Sequence, residues 1–217
     1  MPAWVTSARA ETFEDVAFLS GAALNYLHLV LGNEEVPQAL LRDRLGLRAA
    51  EACVVFSGRP ERVGGLRDAV HLLRPGDLPG PAGENYLSWY RAVERPVSVK
   101  TLHRALHRPL PADDATQIAD WLDLGQGAPV TRAAAVLEAV LTDRPGEALS
   151  ALILADAALA QALGWDHLVP LLAGGLKRLD LRKRDADLRL ACHRAVASSA
   201  SEAVRLSGDL ARRAAHL

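Results

Sequence analysis

Three features of the amino-acid sequence predict an all-α fold. Ala and Leu dominate the composition, and both lose little side-chain freedom in a helix. Apolar residues recur mainly at the helical spacing of three and four positions. Proline and glycine interrupt this pattern most sharply at residues 74–83, RPGDLPGPAG. We therefore expect one globular domain over residues 1–217, with about ten helices in an irregular, orthogonal or bundle-like packing; residues 95–111 are the candidate join between two subdomains.

Capping residues and prolines mark the helices of the first half of the chain. Thr12 and Asp15 form a capping-box pattern, which starts a helix over residues 13–31. Pro37 suits the first position of a second helix over residues 37–56. Similar signals predict further helices at residues 60–73, 81–93 and 98–107.

The second half of the chain continues in the same pattern. We expect the pair Gly174-Gly175 to end a short helix, because glycine is common just beyond helix ends. No segment predicts a strand, since residues 53–56 continue a helical period. The helices of this half are predicted at residues 113–124, 129–141, 147–163, 166–172, 185–197 and 201–216.

Composition and charge limit the classes of function. The formal net charge is −1, so no overall positive field favours nucleic acid or an anionic membrane. The longest apolar run, residues 148–163, is too short and too polar to span a bilayer. The first residues carry no basic segment followed by an apolar core, so we expect no signal peptide. Cys53 and Cys192 are predicted to be buried, inert thiols, which fits a reducing cytoplasm.

A basic stripe leads into the loop at residues 74–83. Arg67, His71 and Arg74 share one helix face, and the helix that follows the loop turns its free N–H groups back toward it. Together with Asp77, these residues form a candidate site for a phosphate or carboxylate. The structural alternative is that Asp77 or Glu84 satisfies those N–H groups internally.

Asp156 is the second candidate. Its carboxyl group falls within a stripe of leucines, and a buried carboxylate must be paired or protonated. Arg44 or Arg48, on another apolar helix, could form a buried ion pair with it. The functional alternative is an acid with a perturbed pKa lining a cleft. The leucines of the stripe are Leu149, Leu152, Leu159 and Leu163.

No set of residues predicts catalysis, a metal or a cofactor. His103 and His107 have the spacing of two zinc ligands on a helix, but the glutamate of the His-Glu-x-x-His motif and a third ligand are missing. The Asp166-His167 and Cys192-His193 pairs are interpreted as isolated core or surface groups. We therefore expect no catalytic residues, no metal ligands and no cofactor.

Three segments of the chain resemble an uncharacterised bacterial family, domain of unknown function 1403. They are residues 40–50 (LLRDRLGLRAA), residues 66–77 with 79–83 (LRDAVHLLRPGD and PGPAG), and residues 154–165 (LADAALAQALGW). The resemblance spans most of the chain. It implies a helical, intracellular bacterial protein and no assigned activity.

The C-terminal half also has a fainter likeness to another family. The layout of residues 147–181 is similar to the helices around the active-site loop of Fic-type nucleotide transferases. Their motif His-Pro-Phe-x-x-Gly-Asn-Gly-Arg is absent, and residues 144–147 (RPGE) stand at the comparable turn. This likeness implies a pseudoenzyme without the catalytic base and the phosphate-binding loop.

The leading functional prediction is a non-catalytic helical module that binds a protein or a small anionic ligand in a bacterial cytoplasm. The alternative is a diverged nucleotidyl transferase or pseudoenzyme that binds a phosphate compound at residues 74–83. Binding to nucleic acid is disfavoured by the near-neutral charge, and no membrane association is expected. The sequence leaves the oligomeric state open, including a homo-oligomer.

Overall fold

Eleven α-helices make up the part of the chain described by the computed structural model, which covers residues 1–7, 10–72, 74, 77–106 and 115–216. Within these residues there is no strand, and a single antiparallel bridge joins Pro96 to His167. The all-α prediction is confirmed. The helices are α1 (Ala3–Ser7), α2 (Phe13–Leu31), α3 (Gln38–Phe56), α4 (Val63–His71), α5 (Pro81–Glu94), α6 (Val99–Ala105), α7 (Ala115–Leu122), α8 (Pro129–Asp143), α9 (Ala148–Ala162), α10 (Leu172–Gly175) and α11 (Asp185–Ala214), with a 3-10 turn at Asp180–Arg182.

Local capping interactions start several of these helices where the sequence predicts. The Asp15 backbone N–H donates to Thr12 Oγ1 at 3.1 Å, and Thr12 N–H donates to Asp15 Oδ2 at 2.8 Å. These two bonds complete the capping box of α2. Ser98 accepts a hydrogen bond from the backbone of Thr101 at the start of α6. Proline occupies the first turn of both α5 and α8.

The core is centred on α9, which is apolar on all sides. Every residue from 150 to 160 is buried, as expected for a helix surrounded by other helices. Helices α3, α5, α7, α8 and α10 all contact it. Trp89 on α5 and Trp121 on α7 are almost completely buried. The indole N–H of Trp121 donates to the Asp143 carboxylate at 2.8 Å, so the polar edge of this ring is satisfied.

The prediction of two C-terminal helices is wrong, because α11 continues for 30 residues. The second of the two predicted helices begins at residue 201, which is a serine. In the structure, Ser201 Oγ donates to the Ala197 carbonyl oxygen at 2.8 Å, which satisfies the hydroxyl inside the helix. The predicted helix over residues 60–73 also differs, since α4 begins only at Val63.

The prediction of a helix over residues 166–172 is wrong as well. Asp166 instead accepts a hydrogen bond from the Val97 N–H at 2.8 Å, and the helix forms later, as α10. Gly174 and Gly175 therefore lie inside this short helix. A Cβ atom on Gly175 would lie 2.5 Å from the Ala195 carbonyl oxygen, so glycine is needed for the close approach to α11.

Parts of three sequence predictions fall on residues 107–114, which the structure does not describe. Asp113, at the start of the helix predicted over residues 113–124, lies there, and so does the last residue of the helix predicted over residues 98–107, whereas α6 ends at Ala105. The subdomain join at residues 95–111 lies partly there too, and it stays a prediction.

Candidate functional site

One face of α2 borders a cavity of about 310 Å³. The beginning of α8, Leu163 at the end of α9, and His193 of α11 form the rest of its wall. Most of the lining is apolar, and the polar groups come mainly from α2 and α11. The α2 residues lie at helical spacing and are Ala17, Ser20, Gly21, Leu24, Asn25 and His28.

A buried hydrogen bond joins Ser20 and His193, which are 173 positions apart in sequence. The Ser20 Oγ to His193 Nδ1 distance is 2.6 Å, and the two residues are 1% and 6% exposed. The Ser20 hydroxyl also donates to the Ala17 carbonyl oxygen at 2.9 Å. Since a hydroxyl carries one proton and a carbonyl oxygen can only accept, the tautomer that satisfies both contacts has Nδ1 donating to Oγ. This arrangement leaves His193 Nε2 as a hydrogen-bond acceptor.

His193 is held in its neutral form. Burial lowers its pKa below the ordinary value of 6.5, and the charge of nearby Arg189 lowers it further. The edge of the His193 ring meets the ring of Phe13 at a centroid distance of 5.4 Å, which fixes its orientation. Within the described residues, Nε2 has no hydrogen-bond partner. The wall of the cavity therefore contains a neutral imidazole with an unused acceptor.

This Ser–His pair is not arranged for nucleophilic catalysis. In the tautomer that satisfies both contacts, the Ser20 proton is directed at the Ala17 carbonyl oxygen rather than at the imidazole, and Ser20 is buried. An activated serine would need the imidazole to accept its proton. The role of Ser20 is instead to set the orientation and the protonated nitrogen of His193.

Gly21 keeps the cavity open. It lies in the middle of the 19-residue helix α2, where glycine is less favourable than alanine by about 1 kcal/mol. A Cβ atom at this position would meet no other atom within 4 Å, so no neighbouring helix requires the glycine. Gly21 is exposed and lines the cavity together with Ser20 and His193, so a larger side chain at this position has open space to occupy.

The N-terminus of α8 lies at the same cavity. Ala128, Pro129 and Val130 all line it. Ala128 occupies the N-cap position and offers no side-chain cap. The first N–H groups of a helix lack intrahelical partners, and they make this end electropositive. The cavity thus combines a donor end with the acceptor of His193.

His28 connects this cavity to a second one of about 350 Å³. The indole N–H of Trp165 donates to His28 Nδ1 at 2.8 Å, so a neutral His28 carries its proton on Nε2. Burial and then the charge of Arg42 lower the pKa of His167, which lines the second cavity. The two cavities share His28 as a lining residue on α2.

Asp156 is fully buried, as predicted, but the ion-pair prediction is wrong. Its Oδ1 accepts hydrogen bonds from the backbone N–H groups of Leu171 at 3.1 Å and Leu172 at 2.9 Å. The N–H of Ala173 points to Oδ2 at 3.5 Å. Burial raises the pKa of Asp156 to about 7, despite the opposing effect of these bonds. The carboxyl group therefore serves as the cap of α10.

Neither of the arginines proposed as partners reaches Asp156. Arg44 is exposed on the outer side of α3. Arg48 forms an ion pair with Glu202 on α11, at a distance of 2.5 Å. A basic side chain was expected because a buried charge must be neutralised. Backbone N–H groups and protonation satisfy the carboxyl group instead.

All four residues of the predicted anion site are exposed in the structure; they are Arg67, His71, Arg74 and Asp77. The Asp77 carboxylate accepts the Arg74 backbone N–H at 3.1 Å, which closes a turn. Arg67 lies 3.7 Å from Asp68. His71 borders a cavity of about 480 Å³, where the acidic Asp43 and Glu94 outnumber the single arginine, Arg42, which disfavours an anion. Pro75 and Gly76 lie outside the described residues, and the anion site stays a prediction.

The sequence did not predict a site at the residues that line the α2 cavity. His193 was interpreted as part of an isolated Cys-His pair. The separate prediction that both cysteines are buried is confirmed. The mid-helix Gly21 was the one available signal, since a glycine there is unfavourable without a structural reason. The pairing of Ser20 with His193 has no sequence signature. His107, of the histidine pair, lies outside the described residues.

The fold and this site define a class: an all-α protein with a histidine-lined cavity between packed helices. The chain belongs to the family described as Protein of unknown function (DUF1403), whose model matches residues 1–217. No curated protein and no solved structure matches the chain. The Fic-type resemblance stays a prediction.

The described residues contain neither a membrane-spanning helix nor a cluster of metal ligands. No helix among them is both long enough and apolar enough to cross a membrane. They also contain no group of three or more His, Cys, Asp or Glu side chains that could hold a metal ion.

Proposed function

We propose that the protein is a non-catalytic helical module that binds a small, largely apolar molecule carrying a hydroxyl group. The site is the cavity between α2, α8 and α11. One observation carries the proposal: an otherwise apolar cavity contains a neutral His193 whose Nε2 acceptor is unused. Nε2 is not among the fully buried unpartnered atoms, so it is open to the cavity, and a ligand that donates to it gains a hydrogen bond.

The class of ligand follows from the walls of the cavity. The apolar side chains of Leu24, Val130 and Leu163 suit a hydrocarbon body. His193 Nε2 suits a hydroxyl proton, and the uncapped start of α8 suits the hydroxyl oxygen. A neutral phenol or alcohol meets all three requirements, whereas a pure hydrocarbon leaves the polar groups unsatisfied.

Gly21 supports a binding role independently. A glycine that lowers helix stability and has no packing role is expected where open space is needed. We further infer a reducing, cytoplasmic location, supported by Cys53 and Cys192 being free and buried.

The test compares two probes, one with a hydroxyl group and one with a methyl ether in its place. 4-Methylphenol and 4-methylanisole have similar apolar bodies, but only the phenol can donate to His193. We expect an NMR titration to show the phenol binding about fivefold tighter or more, the worth of one neutral hydrogen bond. The substitution His193→Leu should remove this preference.

Gly21→Leu is the blocking variant, because its side chain enters the cavity. Gly65→Leu is the matched control, since Gly65 also lies in a helix with open space around it but does not line this cavity. Loss of binding in the first and not in the second supports the site. Equal binding of both probes, or binding that survives Gly21→Leu, would overturn the proposal.

A further inference from the structure

A separate cavity of about 590 Å³ lies between other elements of the molecule. Helices α3, α10 and α11 form it together with the segment that follows α10. It shares no residue with the α2 cavity. Its lining contains four basic side chains and two acidic ones, Arg48, Arg62, Lys177, Arg178, Glu51 and Glu202.

Both acidic residues are already engaged by arginines. Glu202 pairs with Arg48 at 2.5 Å, and Glu51 lies 3.7 Å from Arg62. Lys177 and Arg178 are exposed at the cavity, and Arg178 forms no ion pair within the described residues. The cavity therefore has an excess of positive charge that its own carboxylates do not offset.

A buried hydroxyl faces the same space. Ser199 of α11 is 8% exposed and lines the cavity beside Gly174. A Cβ atom on Gly174 would lie 3.3 Å from Ser199 Oγ, so the glycine leaves this hydroxyl uncovered. Within the described part of the chain, the hydroxyl has no hydrogen-bond partner. Its oxygen is not among the fully buried unpartnered atoms, so it is open to the cavity and can donate to a ligand there.

The remaining wall is apolar and comes mainly from Leu45, Val55, Phe56 and Leu176. A simple inorganic ion would leave this surface uncovered. An oxyanion attached to an apolar group would place its charge near Arg178 and Ser199 and its body against these side chains.

We propose that this cavity is a second binding site, which takes an organic oxyanion, a phosphate ester or a carboxylate with an apolar group. Arg178 and Lys177 supply the charge, and Ser199 donates a hydrogen bond. This site stands apart from the α2 cavity, so either can fail without the other.

Phenyl phosphate, benzoate and inorganic phosphate are the probes, with phenol as the neutral control. We expect calorimetry at low salt to detect phenyl phosphate or benzoate, with inorganic phosphate weaker. Affinity should fall with added salt, because the contacts are charged and partly exposed. Which of the two organic anions binds more tightly identifies the anionic group.

Arg178→Ala should weaken binding about tenfold, and Ser199→Ala should weaken it by a smaller factor. Arg182→Ala is the matched control, since Arg182 is an exposed arginine nearby that does not line the cavity. Gly21→Leu should leave binding of the anion unchanged. Failure of both organic anions, or equal losses in the Arg178 and Arg182 variants, would overturn this proposal.

Discussion

Helices α2 and α10 each border a proposed binding cavity, but they form for different reasons. The 19 residues of α2 have a complete capping box, and their bounds follow from the local sequence. The four residues of α10 contain two glycines and no local cap. They are helical because the Asp156 carboxyl group accepts their first N–H groups and because Gly175 allows contact with α11.

The comparison indicates which substitutions should disturb each of the two helices most. Contacts from other helices maintain α10, so single substitutions at those contacts should disturb it strongly. Local bonds maintain α2, so substitutions on its open face should have small effects on stability.

The largest expected effect is a dependence of stability on pH that Asp156 causes. Its pKa is raised by burial from 3.8 to about 7 in the folded protein. The folded state therefore binds the proton more tightly, and this stabilisation is present below the unfolded pKa and lost as pH rises through 7. A shift of this size corresponds to about 4 kcal/mol. Urea unfolding at several pH values measures it.

Asp156→Asn is the control, because the amide is similar in shape and does not titrate. The difference in stability between the natural protein and this variant should decrease as pH rises from 4 to 8. Asp15 has a lowered pKa from its Thr12 bonds, but it is present in both proteins and cancels. A constant difference across this range would show that Asp156 does not titrate there.

Asp156→Ala should lower the free energy of unfolding by about 3 kcal/mol at pH 6, because it leaves buried N–H groups of Leu171 and Leu172 without an acceptor. Urea denaturation measures the loss. Asp156→Asn retains an acceptor oxygen and should lose much less. If both variants are equally destabilised, the carboxyl group does not act as the cap of α10.

Gly175→Ala should lower stability by about 2 kcal/mol, because its Cβ would lie 2.5 Å from the Ala195 carbonyl oxygen. Thermal unfolding compares it with Gly174→Ala, whose Cβ would only approach the Ser199 hydroxyl at 3.3 Å. Similar losses at both positions would contradict the close contact between α10 and α11.

The smallest expected effect has the opposite sign. Gly21→Ala should raise stability by about 0.5–1 kcal/mol, since alanine favours the interior of α2 and meets no atom within 4 Å. The melting temperature should rise accordingly. Destabilisation would show that the space beside Gly21 is filled in the folded protein.

Much of the fold could be predicted from the sequence, but little of the site could. Thr12 and Asp15 located the start of α2, and the burial of Asp156 followed from its leucine neighbours. The partners of Asp156 did not follow, because backbone N–H groups leave no trace in residue identity. Ser20 and His193 are brought together only by the packing of α2 against α11.

The sequence by itself determined the all-α class, most helix bounds and the buried thiols, because capping and helical periodicity act over a few residues. Tertiary structure decided the position of α10, the continuity of α11, the acceptor role of Asp156 and both cavities. These features depend on contacts between residues far apart in the chain, and their geometry is set only when the helices pack together.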